Sequence, residues 1–243
     1  MFYKYETHLH TSESSSCGRS TAAEMVHAFI REGYSGFVVT DHFINSSSTV
    51  PKDLCWQDKM KLYARGYDNA KREAEKYSNF LVMFGWEYTL FPYCADYLTY
   101  NLDLEFLINH PEMLDISFPE YCKLVHDNGG VIVHAHPYRQ AHYINYEPDL
   151  RQDLIDGIEV NNGLSTSSSN RNDKAWELAR LNPHLFRTSG TDIHNVERAG
   201  IGGVAFKYRI TDSKMFVEAL KKGDGYLIID GKITDREGNI IEE

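Results

Sequence analysis

Short apolar runs recur along this chain, and the stretches between them space their apolar residues three and four apart, as amphipathic helices do. Phe2–Thr7, Gly36–Thr40, Phe80–Trp86, Val131–Val133, Gly157–Val160, Phe186–Ser189 and Gly203–Phe206 each predict a strand, and Tyr97–Tyr100 predicts a further one. Thr21-Ala22-Ala23-Glu24 has the form of a capping box, followed by an apolar stripe of Met25, Val26, Phe29 and Ile30 that Gly33 ends. Further helices are predicted over Trp56–Tyr77, Glu120–Asn128, Arg171–Leu181 and Ser213–Lys222, and short peripheral strands from Tyr226 onward. Alternation of this kind predicts βα units around a largely parallel sheet.

The length of 243 residues suits one α/β domain, with a 42% hydrophobic share that supplies an ordinary core. No apolar run approaches the roughly 20 residues that span a bilayer, and the first residues show no signal-peptide core, so a cytoplasmic protein without a membrane partner is expected. Cys17, Cys55, Cys94 and Cys122 are widely spaced, which argues against a zinc ribbon or a disulfide framework. The net charge of -10 argues against a stable nucleic-acid complex, because such binding needs clustered cations. It leaves an anionic small substrate open, since bound cations reverse a local field.

Chemically capable side chains gather at the carboxyl end of each apolar run. His8 and His10 come after the first, Asp41 and His42 after the second, and Glu87 after the third. His134 and His136 come after Val131–Val133, Asn161 and Asn162 after Gly157–Val160, and Asp192 and His194 after Phe186–Ser189. The carboxyl ends of parallel barrel strands converge on one face, so these groups should meet. In extended chain, residues i and i+2 point the same way, and each His-x-His or Asp-x-His pair can address one ion. Imidazole with carboxylate suits divalent Zn, Mn or Fe. Asp41 can instead orient a ligand histidine. His27, His110, His126, His142 and His184 fall on helices or loops and read as surface groups.

His8-Leu9-His10-Thr11, Thr40-Asp41-His42, Glu87, Ala135-His136-Pro137 and Gly190-Thr191-Asp192-Ile193-His194 resemble the PHP (polymerase and histidinol phosphatase) family, in family order from Glu6 to about Phe206. The resemblance implies a distorted (β/α)7 TIM-like barrel as a single domain. Its motif-bearing core would span residues 1–206, with a C-terminal helix and short strands over 207–243. It also implies two or three divalent ions and phosphoester hydrolysis by a metal-activated hydroxide. His8, His10, His42, His136, Asp192 and His194 would be ligands, Glu87 the bridge between ions, and Glu87, Asp192 and His194 the catalytic group. The family places a further ligand where this chain has Ser15; Glu13 is the preferred substitute and Cys17 the other option. Where the family tends to have a histidine after Glu87, this chain has Asp96-Tyr97-Leu98, and His134 is the candidate that compensates.

Arginine suits phosphate because its planar fork presents paired donors. Arg139 is the first candidate, then Arg19 and Arg171, with Arg198 beyond His194. The expected partner is a small phosphorylated metabolite or nucleotide. Two other readings stand beside this one: metal-dependent hydrolysis of another bond, as in amidohydrolases, and a non-catalytic metal-binding module.

Overall fold

The computed structural model describes residues 1–144 and 146–242. Its strands are β1 (Tyr3–Glu6), β2 (Tyr34–Val39), β3 (Leu81–Leu90), β4 (Ala95–Tyr100), β5 (Val131–His134), β6 (Gly157–Asn162), β7 (Phe186–Gly190), β8 (Gly202–Phe206), β9 (Tyr226–Ile229), β10 (Lys232–Thr234) and β11 (Ile240–Glu242). The helices are α1 (Ala22–Arg31), α2 (Trp56–Tyr63), α3 (Arg65–Ala74), α4 (Leu104–Asn109), α5 (Phe118–Asp127), α6 (Asn172–Leu181) and α7 (Ser213–Lys222).

The strands form one curled sheet in the order β11-β10-β9-β8-β1-β2-β3-β4-β5-β6-β7. β1, β2 and β3 run parallel, as do β5, β6 and β7. Past the strand ends, Leu9 bridges Ile193 in parallel, with His10 N donating to the Ile193 carbonyl (2.9 Å) and Ile193 N to that of His8 (3.1 Å). The curl therefore brings the end of β7 back beside the end of β1. The result is a TIM-like α/β arrangement, but strict parallel strand–helix alternation is not kept. β4 is antiparallel to both β3 and β5, because only residues 91–94 separate it from β3 and no helix intervenes. β8 is likewise antiparallel to β1.

Local chemistry explains the helix boundaries. Thr21 and Glu24 form the expected capping box on α1, which buries Met25, Val26 and Phe29. A second box, Ser117 with Glu120, starts α5 two residues before the position expected from the sequence. The helix expected over Trp56–Tyr77 breaks at Ala64. Here the Tyr63 carbonyl accepts from the Ser14 hydroxyl (2.7 Å), and Gly66 runs against the loop after β1. A Cβ on Gly66 would lie 2.2 Å from Thr11 Oγ1 and 2.6 Å from Asp41 Oδ2, so only glycine permits this approach. α4 is too short for periodicity to reveal and was not expected.

The core is aromatic. Trp86, Tyr97, Tyr100 and Tyr121 are fully buried, and Trp86 Nε1 donates to Tyr121 Oη (2.8 Å). Among the described residues, no helix is long and apolar enough to cross a membrane.

Candidate metal centre

Six strands deliver the cluster, β4 through Asp96. β1 continues into His8 and His10, and β2 into Asp41 and His42. β3 carries Glu87, whose backbone pairs with His42. The chain after β5 supplies His136, and that after β7 supplies Asp192 and His194. His136 (φ 29°) and Asp192 (φ 53°) occupy the left-handed region, which costs a non-glycine residue of order 1–3 kcal/mol and recurs where side chains are aimed into functional sites. Gly190 makes the close approach possible, since a Cβ there would meet Glu159 Oε1 at 2.3 Å and His8 Cβ at 2.7 Å.

The ligand atoms converge. His8 Nε2 lies 3.1 Å from His10 Nε2, 3.2 Å from Glu87 Oε1 and 3.5 Å from Asp192 Oδ1. His10 Nε2 lies 3.2 Å from Asp192 Oδ1 and 3.6 Å from Glu87 Oε2. His136 Nε2 lies 3.3 Å from Glu87 Oε1. A tetrahedral ion with ligand bonds near 2.05 Å has edges of roughly 3.3 Å, so these spacings are those of a coordination polyhedron. Glu87 Oε2 and His42 Nδ1 are buried, 2.6 Å apart, and without a hydrogen-bond partner. Both are atoms that a shared cation could take as ligands. Three-residue groups able to hold an ion are His10/His42/His194, His8/His10/Glu87, His8/His136/Asp192 and Glu87/Asp96/His136. Glu87 belongs to two of them, the position expected of a bridge.

Mutual charge sets the protonation states. Burial pushes the Glu87 carboxyl up, yet the imidazoles of His42 and His8 prevail and hold it well below the usual range. Asp192 is treated likewise by His8, His10 and His194. Burial disfavours charge on His8, but Asp192, Glu159 and Glu87 raise it well above a normal histidine. Burial together with His42 and His194 holds His10 neutral. Desolvation, aided by Glu87, lifts Asp96 to about 6.

Three carboxylates support the cluster from behind. Glu159, fully buried within β6, lies 3.1 Å from His8 Nδ1, accepts from His136 N (3.0 Å) and holds Asn162 Nδ2 (2.9 Å). This is the carboxylate–histidine arrangement that fixes a ligand's tautomer. Asp41 accepts from Thr11 N (2.6 Å) and Ser15 Oγ (2.6 Å), and Ser15 Oγ lies 3.3 Å from His10 Nδ1. Glu6 accepts from the backbone of Thr7, His8 and Thr191 (each 2.9 Å), and burial still raises its carboxyl to about 7.

Several expectations land elsewhere. Glu13 stays outside the cluster, where its carboxylate accepts from Ala22 N (3.0 Å) at the start of α1 and from Asn69 Nδ2 (3.1 Å). His134 stacks on Tyr97 (centroids 4.5 Å apart), and burial lowers it to about 3. Asn161 donates to the Gly163 carbonyl (3.0 Å), while Asn162 donates to Glu159 (2.9 Å) and accepts from Asn170 (2.6 Å), so neither joins the cluster directly. Cys17 lies beside His194 and His42, which overcome burial and lower its thiol to about 6. Arg139 Nη1 donates to Asp192 Oδ2 (3.0 Å) and lies 3.4 Å from His136 Nε2, over the cluster's opening. Arg19 is exposed, and its backbone N donates to the His194 carbonyl (2.8 Å). Arg171 pairs with Asp173 through two bonds at the start of α6, and it shares a cavity lining with Arg139. His27, His110 and His126 pair with surface carboxylates, as their positions outside the strand ends implied.

Glu159 escaped the sequence reading, and Asp96 was seen at a position where the family tends to have a histidine but was not chosen as a ligand. The signal for Glu159 was a lone acid inside an otherwise apolar run. Asp96 became a neighbour of His136 only through the antiparallel turn into β4.

No protein-family model and no curated protein matches the chain. Solved structures do match it. A two-domain protein from Bacteroides vulgatus, containing a predicted PHP-like metal-dependent phosphoesterase, superposes with a TM-score of 0.69 at 16% identity, covering 96% of this chain and 66% of that one. The chain carries a PHP-like fold. The lesion-specific endonuclease PfuEndoQ from Pyrococcus furiosus gives a TM-score of 0.62 at 15% identity, over 91% of this chain and 56% of that one. PsfC from Pseudomonas syringae gives 0.61 at 15% identity, over 94% and 91%. This chain thus spans about two-thirds of the first structure and a little over half of the second. Within the PHP-like fold, the convergent strand-end ligands occupy the face where barrel enzymes place their chemistry.

Proposed function

We propose that the chain is a metal-dependent hydrolase of phosphoester bonds acting on a small phosphorylated metabolite or nucleotide. Divalent cations would be held by His8, His10, Glu87 and Asp192, by Glu87, Asp96 and His136, and by His10, His42 and His194, in a set sharing Glu87 and His10. A bound cation supplies Lewis-acid polarisation of the phosphoryl group and lowers the pKa of water.

The chain's own groups do the rest. Asp192 faces two ways: Oδ1 lies among the histidines while Oδ2 takes Arg139. The guanidinium is thereby fixed over the opening as a fork for phosphate oxygens. His194 Nδ1 sits 2.9 Å from the Asp192 carbonyl, which assigns a proton to that nitrogen. His8, His10, Glu87 and His136 are at most 4% exposed, whereas His42, His194 and Arg139 are part-exposed at the mouth. Amidohydrolase chemistry and a non-catalytic module gain no comparable support.

The convergence of buried imidazole and carboxylate atoms at polyhedral spacing carries this reading. Metal analysis with a phosphoester panel, before and after chelation, tests it. Release of phosphate should require Mn or Zn; release that survives thorough chelation refutes the proposal. Arg139→Ala should raise KM about tenfold with metal content intact, the loss expected for one charge-assisted fork.

A further inference from the structure

Arg139 is the sole described residue shared by the linings of two cavities that reach the ligand cluster through different residues. The first, about 380 Å³, ends on Asp96 and His136, and Tyr93 and Tyr146 form its outer wall with rings 5.8 Å apart. These tyrosines are 36% and 51% exposed, so their rings are available to a ligand. The second, about 500 Å³, ends on Asp192 and His194 and is walled by hydroxyls and amides of Ser167, Ser168 and Asn170. The ridge between them is fixed, since Gln140 N donates to the Ser169 carbonyl (2.7 Å) and Arg139 is tied to Asp192. Each cavity has the size of a small-molecule site.

A phosphate monoester carries one organic arm and would fill one cavity. A phosphodiester carries two, one on either side of its phosphorus. Resting on the phosphoesterase reading above, we propose that the substrate is a small phosphodiester. Its phosphate lies beneath Arg139, an aromatic arm occupies the Tyr93/Tyr146 cavity, and a hydroxylated arm occupies the Ser167–Asn170 cavity. Water oxygen bonds to phosphorus as one ester P–O bond breaks. That arm leaves as the alcohol, taking up a proton, and the other remains on a monoester.

The test uses the purified protein loaded with Mn or Zn and compares bis(4-nitrophenyl) phosphate with 4-nitrophenyl phosphate. The diester is expected to be favoured at least tenfold in kcat/KM; any smaller preference overturns the inference while leaving the phosphoesterase reading in place. Cleavage of neither compound overturns both. Leu164→Trp, which fills part of the second cavity, should reduce diester cleavage at least tenfold more than monoester cleavage, and equal losses count against two-armed binding. A folded variant is confirmed by unchanged metal content.

Discussion

The floor of the site and its rim are built on different principles. On the floor, His8, His10, Glu87 and His136 come from strands or the first residues beyond them, are buried, and are held by further buried carboxylates. On the rim, Arg139, Arg171 and the Ser167–Asn170 segment lie outside the strands, are part-exposed or exposed, and are held by side-chain and backbone hydrogen bonds rather than by a buried scaffold. The contrast teaches where precision is needed: ligand atoms must hold within a few tenths of an ångström, whereas a guanidinium fork tolerates adjustment. Rigid scaffold carries the first and loop carries the second.

The sharpest break comes from Glu87→Ala. Removing the shared carboxylate should lower kcat/KM about a thousandfold and cost at least one bound ion, measured by kinetics with elemental analysis. Full metal content in this variant would remove Glu87 from the bridge.

Glu6 offers a pH handle on the floor. Its carboxyl titrates at about 7 in the fold against 4.5 unperturbed. Below 4.5 both states are protonated; between 4.5 and 7 the unfolded chain releases the proton while the folded one keeps it, so stability falls as pH rises through that window. At about 1.4 kcal/mol per pH unit, the loss is about 3 kcal/mol. Urea melts of metal-free protein should show this slope, and Glu6→Gln should flatten it; parallel profiles would refute the assignment.

Glu159→Gln sharpens the comparison further. Losing the carboxylate behind His8 should weaken metal binding about 10- to 100-fold in a zinc titration, whereas a purely structural role would leave affinity alone. The smallest effect belongs to Glu13→Gln, near the rim. A charge at the first turn of α1 is worth about 1 kcal/mol, so unfolding should shift modestly with metal content unchanged. A lost ion would return Glu13 to the ligand set.

The same division governs what the sequence revealed. His8, His10, His42, Glu87 and Asp192 were legible because each lies at the end of an apolar run, and parallel strands align their ends. Asp96 depended on whether β4 turned back against β3, which alternation alone does not say. Glu159 was concealed as a strand interior, because period-two patterning shows which residues are buried but not which buried acid meets an imidazole across the barrel. Glu13 was drawn off by an unpaired helix amide and by Asn69, contacts invisible without the α1–α3 packing. The break at Ala64 likewise came from Ser14, roughly fifty residues earlier in the chain.

The Leu9–Ile193 bridge also fixes an order of events during biosynthesis. Two of the densest ligand segments lie 184 positions apart along the polypeptide and are stapled backbone to backbone. While the ribosome is still making the middle of the chain, the amino-terminal histidines have no aspartate to meet. Closing so long a loop is among the slowest steps of folding. Capture of a cation by the proposed set would therefore be a late event, waiting on Asp192 and His194 after the other groups have been made.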